Sequence, residues 1–108
     1  MAKTFLLEVV SPESIVWSGQ AEMLVTRTTE GEIGILADHE PTMAAVATGS
    51  TVITAEGGEQ ITLAIHGGFL QILRNEVTLL TDRAEIIDGD RAQAAELAQS
   101  LAEDASAE

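Results

Sequence analysis

The sequence predicts a mainly β domain, a sandwich or a barrel, followed by one short C-terminal α-helix. Apolar residues alternate with period two in short runs, the signature of strands with one face on a core. Turn-forming residues interrupt these runs every 8–12 residues or so, the spacing of all-β sandwiches and barrels. After Asp82 the composition turns to Ala, Leu, Gln and Glu, all good helix formers.

Taken in order, Phe5, Leu7 and Val9 alternate with Leu6, Glu8 and Val10, and Met23 and Val25 alternate with Leu24 and Thr26. The clearest alternation sets Ile61, Leu63 and Ile65 against Thr62, Ala64 and His66. Breaks are expected at Ser11-Pro12, Ser18-Gly19, Glu30-Gly31, Ala37 to Pro41, Thr48-Gly49, Glu56 to Glu59, Gly67-Gly68 and Arg74-Asn75. Glu56-Gly57-Gly58-Glu59 reads as a hairpin turn, because paired glycines supply the positive φ that tight turns require. The β body is expected over residues 1–86 and a helical segment over 87–108. Asp88 is expected to cap the helix, with Asp90 in its first turn where the macrodipole favours an anion. Ala94, Leu97, Ala98, Leu101 and Ala105 form one stripe that buries little, and the residues from Glu103 onward are expected to fray.

Composition excludes several functions. The 108 residues make one domain of 11.4 kDa. Eighteen Asp+Glu against five Lys+Arg leave a net charge of −13, which opposes binding to nucleic-acid phosphates and to anionic lipid. Membrane association is therefore expected only through another protein. There is no cysteine, so neither disulfides nor thiolate chemistry is available. No signal peptide or ~20-residue apolar span is legible, so the protein is expected to stay where it is made.

The chemical motifs are sparse. Asp38-His39-Glu40 lacks the partners a zinc site needs, and His39 is better read as shaping a turn before Pro41. His66 reads as the end of a strand on its non-core face. His66-Gly67-Gly68-Phe69 resembles an oxyanion loop, but there is no Gly-x-Ser-x-Gly nucleophile. Gly31-Glu32-Ile33-Gly34 lacks the Gly-Lys-Ser/Thr of a phosphate loop. No catalytic residue, metal or cofactor is expected, which points to a binding or assembly component.

The order of segments resembles the epsilon subunit of the rotary F-type ATP synthase. The resemblance runs through Phe5 to Glu13, Val16 to Ala21, Thr29 to Pro41, Ala64 to Ile72 and Asn75 to Glu85, then Ile87-Asp88-Gly89-Asp90-Arg91-Ala92, similar to the family's Ile-Asp-x-x-Arg-Ala motif. It implies a flattened β-sandwich of about ten strands and a helical C-terminal part. It implies a non-catalytic rotor subunit at the foot of the central stalk. Such a subunit binds the gamma subunit and the c-ring and couples ion translocation to ATP synthesis elsewhere in the complex. Peripheral attachment at the cytoplasmic face of a bacterial cell membrane, or the equivalent face of an organelle membrane, follows from it. The resemblance assigns the c-ring contact to the turn Glu30, Gly31 and Glu32, with His39 near the same contact. Longer members carry two antiparallel helices, and some bind ATP through the motif plus arginines of the second helix. Here Ile87, Asp88, Arg91 and Ala92 match, but no Lys or Arg follows Arg91. The chain therefore resembles a short form with a truncated hairpin, for which ATP binding is not expected, and Arg91 is expected to pair with a nearby carboxylate. The alternative reading is a free-standing small β-domain that binds a ligand or hydrolyses a substrate, supported by the carboxylate density and the two histidines.

Overall fold

A computed structural model describes residues 3–89 and 91–106, with side chains described through Leu101. The strands are β1 (Phe5–Val10), β2 (Ile15–Thr28), β3 (Gly31–Leu36), β4 (Thr42–Val46), β5 (Gly49–Ala55), β6 (Gln60–His66), β7 (Gly68–Leu73), β8 (Glu76–Leu80) and β9 (Arg83–Ile87), followed by helix α1 (Arg91–Ser106). They form a β-sandwich, one of the two architectures that the alternation and turn spacing allow and the one that the resemblance implies.

Strand β2 belongs to both layers. Its first half pairs antiparallel with β1, from Ala21 opposite Phe5 to Ile15 opposite Val10. Its second half pairs with β3 on one side and β5 on the other. One layer therefore runs β2-β1-β8-β7-β4 and the other β3-β2-β5-β6-β9. A single β2–β4 pair, Thr28 with Val46, closes the layers at one edge. The break expected at Ser18-Gly19 does not occur. Gly19 stays in the ladder opposite Leu7, and the missing side chain leaves room for the Trp17 indole, which a Cβ there would approach to 3.3 Å.

The core is the inward phase of these strands. Phe5, Leu7, Val9, Leu24, Ile35, Ile53, Leu63, Ile65, Leu70, Ile72, Val77 and Leu79 are all buried. Thr26, Thr28, Thr51 and Thr81 are buried as well. Thr26 and Thr51 lie on adjacent strands, and their hydroxyls hydrogen-bond at 2.8 Å. In the second half of β2, Met23 and Val25 face away from the core while Leu24 and Thr26 face it.

The turns follow the local chemistry. Gly57 and Gly58 take φ of 96° and 93° in the β5–β6 hairpin, as their spacing predicts. Arg74 and Asn75 both take positive φ in the two-residue β7–β8 turn, matching a type I′ hairpin. The Asn75 amide donates to the Thr4 carbonyl at 2.9 Å, and its side-chain oxygen accepts from the Asp38 N–H at 2.7 Å, tying three segments together. Gly67-Gly68 allows β7 to begin against the end of β8: a Cβ on Gly68 would lie 1.9 Å from the Leu80 carbonyl oxygen.

Helix α1 lies on the outer face of β5 and β6. Ala94 and Ala98 bury against Ala64, flanked by half-buried Ile87, Leu97 and Leu101. Ala64 is consequently buried although it sits on the outward phase of β6. The expected cap is corrected: α1 begins at Arg91, so Asp88 stands too far upstream to cap it and is exposed in a bend. Asp90 lies outside the described residues. The helix runs to Ser106, consistent with the helix propensity of Ala102 and Ala105. The side chain of Ala105 lies outside the described residues.

The buried threonine pair generates a specific test. Thr26→Val leaves the Thr51 hydroxyl in the core without its partner, at a cost of about 1–3 kcal/mol. Replacing both with valine removes the unmet group along with the bond. Chemical denaturation should therefore find the double variant more stable than Thr26→Val alone. A double variant at least as destabilised as the sum of the two singles would refute this account of the pair.

Candidate functional site

The turn between β2 and β3 is built by hydroxyl chemistry. The Glu30 N–H donates to Thr28 Oγ1 at 3.2 Å, and that hydroxyl donates to the Gly31 carbonyl at 2.7 Å. Gly31, at φ 131°, lets the chain reverse. Glu30, Gly31 and Glu32 are all exposed. Strand β3 pairs only with β2, so its other edge is free among the described residues. Glu32, Gly34 and Leu36 share the outward phase of β3, whereas Ile33 and Ile35 point inward.

Glu32 has a partner that the sequence expectation left unnamed. Arg91, the first residue of α1, donates from Nη2 to Glu32 Oε2 at 2.6 Å. Both side chains keep about half of their surface in solvent, 53% for Arg91 and 56% for Glu32. Arg27 stands opposite Glu32 in the β2–β3 register. Its stem passes 3.8 Å from the position a Cβ would take on Gly49. Arg27, Glu32, Ser50, Arg91 and Gln99 line a small cleft of about 170 Å³ beside the helix.

The structure does not gather the predicted site residues at one point. His39 lies beyond the far end of β3, past Leu36, which the strand rise alone puts about 13 Å from Glu32. The His39 ring is half-buried, with Nδ1 2.9 Å from the Glu40 carbonyl, in the turn before Pro41. Asp38 precedes it at φ 62° and pairs with Lys3 at 3.4 Å. His66 ends β6 and places Nδ1 3.0 Å from Thr48 Oγ1. The Ile-Asp-x-x-Arg-Ala segment is also divided. Ile87 packs beneath α1, Asp88 and Ala92 are exposed, and Arg91 reaches across to β3.

A second surface was not singled out from the sequence. On the outer face of the other layer, Ala45 pairs with Phe69, Phe69 with Leu80, Leu80 with Val10, and Val10 with Ile15. These five residues form an apolar row across β4, β7, β8, β1 and β2, about 19 Å wide at the usual strand spacing. Phe69, Leu80 and Ile15 are exposed at 39%, 49% and 60%. The middle of the row, Phe69, Leu80 and Val10, lines a cleft of about 390 Å³ that also includes Pro12, Gly68 and Thr81. The signal was present in β7, where Phe69 and Leu73 occupy one phase and Leu70 and Ile72 the other. A strand apolar on both phases has a use for its second face. Among the described residues no helix is long and apolar enough to cross a membrane.

Comparisons with known proteins agree with this architecture. Residues 4–87 match the family model described as the ATP synthase, Delta/Epsilon chain, beta-sandwich domain. The ATP synthase epsilon chain of Brevibacillus brevis is 42% identical over 92 residues, covering 82% of this chain and 70% of that protein. The epsilon chain of Streptomyces griseus is 40% identical, covering 94% of this chain and 82% of that one. Among solved structures, a chain of the Euglena gracilis mitochondrial ATP synthase, determined with OSCP, F1 and c-ring, superposes with a TM-score of 0.75 at 27% identity. That match covers 93% of this chain and 62% of the Euglena chain. A chain from the central stalk and c-ring structure of the Tetrahymena thermophila enzyme shares the fold, with a TM-score of 0.63 at 10% identity. With the family model spanning the whole sandwich and relatives at about 40% identity over most of the sequence, the chain belongs to the ATP synthase epsilon-chain family.

Proposed function

We propose that this chain is a non-catalytic rotor subunit that binds the gamma subunit through the apolar row and the c-ring through the β3 edge. It thereby couples ion translocation to ATP synthesis in the complex. The observation that carries this reading is the presence of two uncovered surfaces of different chemistry on the two layers of one rigid sandwich. The row Ala45-Phe69-Leu80-Val10-Ile15 is apolar and lies on the layer away from α1. Its character suits a stable protein partner. The Glu30-Gly31-Glu32 turn is acidic and exposed, which suits cationic loops and sets register more than raw affinity.

With Glu32 before β3 has run its length and His39 past its end, the ring contact is a strip along the strand edge. In this reading the sandwich makes both contacts, and the segment after it contributes helix α1. Attachment to the membrane is peripheral and runs through the complex, on the face where the catalytic sector stands.

Reversing charge at the strip should uncouple without unfolding. Glu32→Lys is expected to shift stability by only about 0.5–1 kcal/mol, the scale of a surface change that loses one exposed ion pair. ATP-driven ion pumping by the reconstituted complex is expected to fall. Wild-type pumping in that variant would remove Glu32 from the ring contact.

The apolar row makes a separate prediction. Phe69→Glu puts a charge within it and should weaken gamma binding by at least about tenfold. Gln60→Glu, on the opposite layer, should leave it unchanged. Equal affinity for gamma in the Phe69 variant and the wild type would place the gamma contact elsewhere.

The divided motif bears on nucleotide binding. ATP phosphates require several converging donors, whereas Arg91 is engaged by Glu32 and no Lys or Arg follows it in the sequence. Calorimetric titration of the 108-residue chain should give no isotherm at submillimolar ATP. A micromolar isotherm would show that other residues assemble the site.

A further inference from the structure

We infer that Arg91 occupies the carboxylate that the cationic ring loop needs, so that docking of α1 on the sandwich and docking of the β3 edge on the ring oppose each other. This rests on the assignment of Glu32 to the ring contact.

Arg91 Nη2 and Glu32 Oε2 are 2.6 Å apart. A carboxylate oxygen that already accepts a charge-assisted bond from one guanidinium is less available to a second cation. The pair is half exposed, so an incoming cation can reach and replace Arg91 without first opening the fold.

The local charge changes with the helix. Glu30 and Glu32 against Arg27 and Arg91 sum to zero when α1 is docked. With Arg91 withdrawn, Glu30 and Glu32 against Arg27 leave −1. Arg27 forms no ion pair among the described residues and stays on β2 whichever way the helix goes. The turn therefore attracts a cationic loop more strongly once the helix start has left it.

The helix is suited to such an exchange because its buried contacts are small. Its fully buried contacts are the methyl groups of Ala94 and Ala98 on Ala64, with Ile87, Leu97 and Leu101 only partly covered. One exposed ion pair is worth about a twofold to fivefold change in an equilibrium. By linkage, α1 docking should weaken ring binding by the same factor as ring binding weakens α1 docking. The factor should shrink with salt, since both partners are solvent-exposed.

The test has two arms on the full chain. In the first, amide hydrogen exchange is followed over Arg91–Ala98 in the isolated chain. Arg91→Gln and Glu32→Gln should each speed exchange about twofold to fivefold, and the double variant no more than either single. The charge-swapped chain Glu32→Arg/Arg91→Glu should recover the protection. Additive effects, or no effect, would overturn the ion pair as the clamp on α1.

In the second arm, binding is measured to a detergent-solubilised gamma–c-ring rotor. Arg91→Gln should tighten it about twofold to fivefold, and the gain should vanish in the Glu32→Gln background. Unchanged or weaker binding by Arg91→Gln would overturn the competition. If Glu32→Gln itself leaves rotor affinity unchanged, the ring assignment of Glu32 falls and the competition with it. The exchange data would then still report on the clamp alone.

Discussion

Strand β2 is the element on which the rest of the structure depends. Its 14 residues are too many for one layer of so small a sandwich. The strand crosses from the β1 layer to the β5 layer and carries the ladder with it. Leu24 and Thr26 reach the interior from its second half, while the first half supports Trp17 against the same core. Because one continuous strand enters both ladders, the layers cannot slide without breaking hydrogen bonds in both. The Thr28–Val46 pair locks the same strand to β4 where the layers meet.

That rigidity gives the two outer surfaces a fixed relation. The apolar row is carried on five strands of one layer, and the acidic strip on the edge strand of the other. In the proposed role, rotation would pass through a body whose contact faces do not shift relative to each other. The helix is a different kind of element. Among the described side chains it buries only alanine methyls fully, with Ile87, Leu97 and Leu101 partly covered and one exposed ion pair at its start, so this contact is small beside the core of the sandwich. The fold therefore joins a stiff binding body to an adjustable appendage. The contact between them falls on the carboxylate at the start of the acidic strip.

Much of the fold was legible because period-two alternation reports directly on which side chains are buried. Phe5, Leu7 and Val9, and Leu63 and Ile65, stand inside as their phase requires. Gly57-Gly58 and Arg74-Asn75 turn where their backbone preferences place a turn. The errors have physical causes. Ser18-Gly19 has turn composition, yet ladder pairing with β1 outweighs a local preference of that size, so the strand runs on. Asp88 has capping chemistry, but the cap position is decided by where the helix meets β5 and β6. Ala64 lies on the phase that reads as outward and is nonetheless buried, since the element covering it comes from later in the chain.

The candidate site divides in the same way. The sequence by itself determined the acidic Glu-Gly-Glu turn, the position of Arg91 at the helix start and the shortage of cations after it, because these are properties of residue type and spacing. It also carried the expectation that Arg91 would find a carboxylate. Only the tertiary structure decided which one. Glu32 and Arg91 are 59 positions apart, and their meeting depends on where α1 lies across β5 and on the β2–β3 register. The apolar row was decided there too. Ala45, Phe69, Leu80, Val10 and Ile15 come from five strands scattered along the chain. Their alignment follows from antiparallel and parallel pairing registers, which single-strand periodicity does not contain.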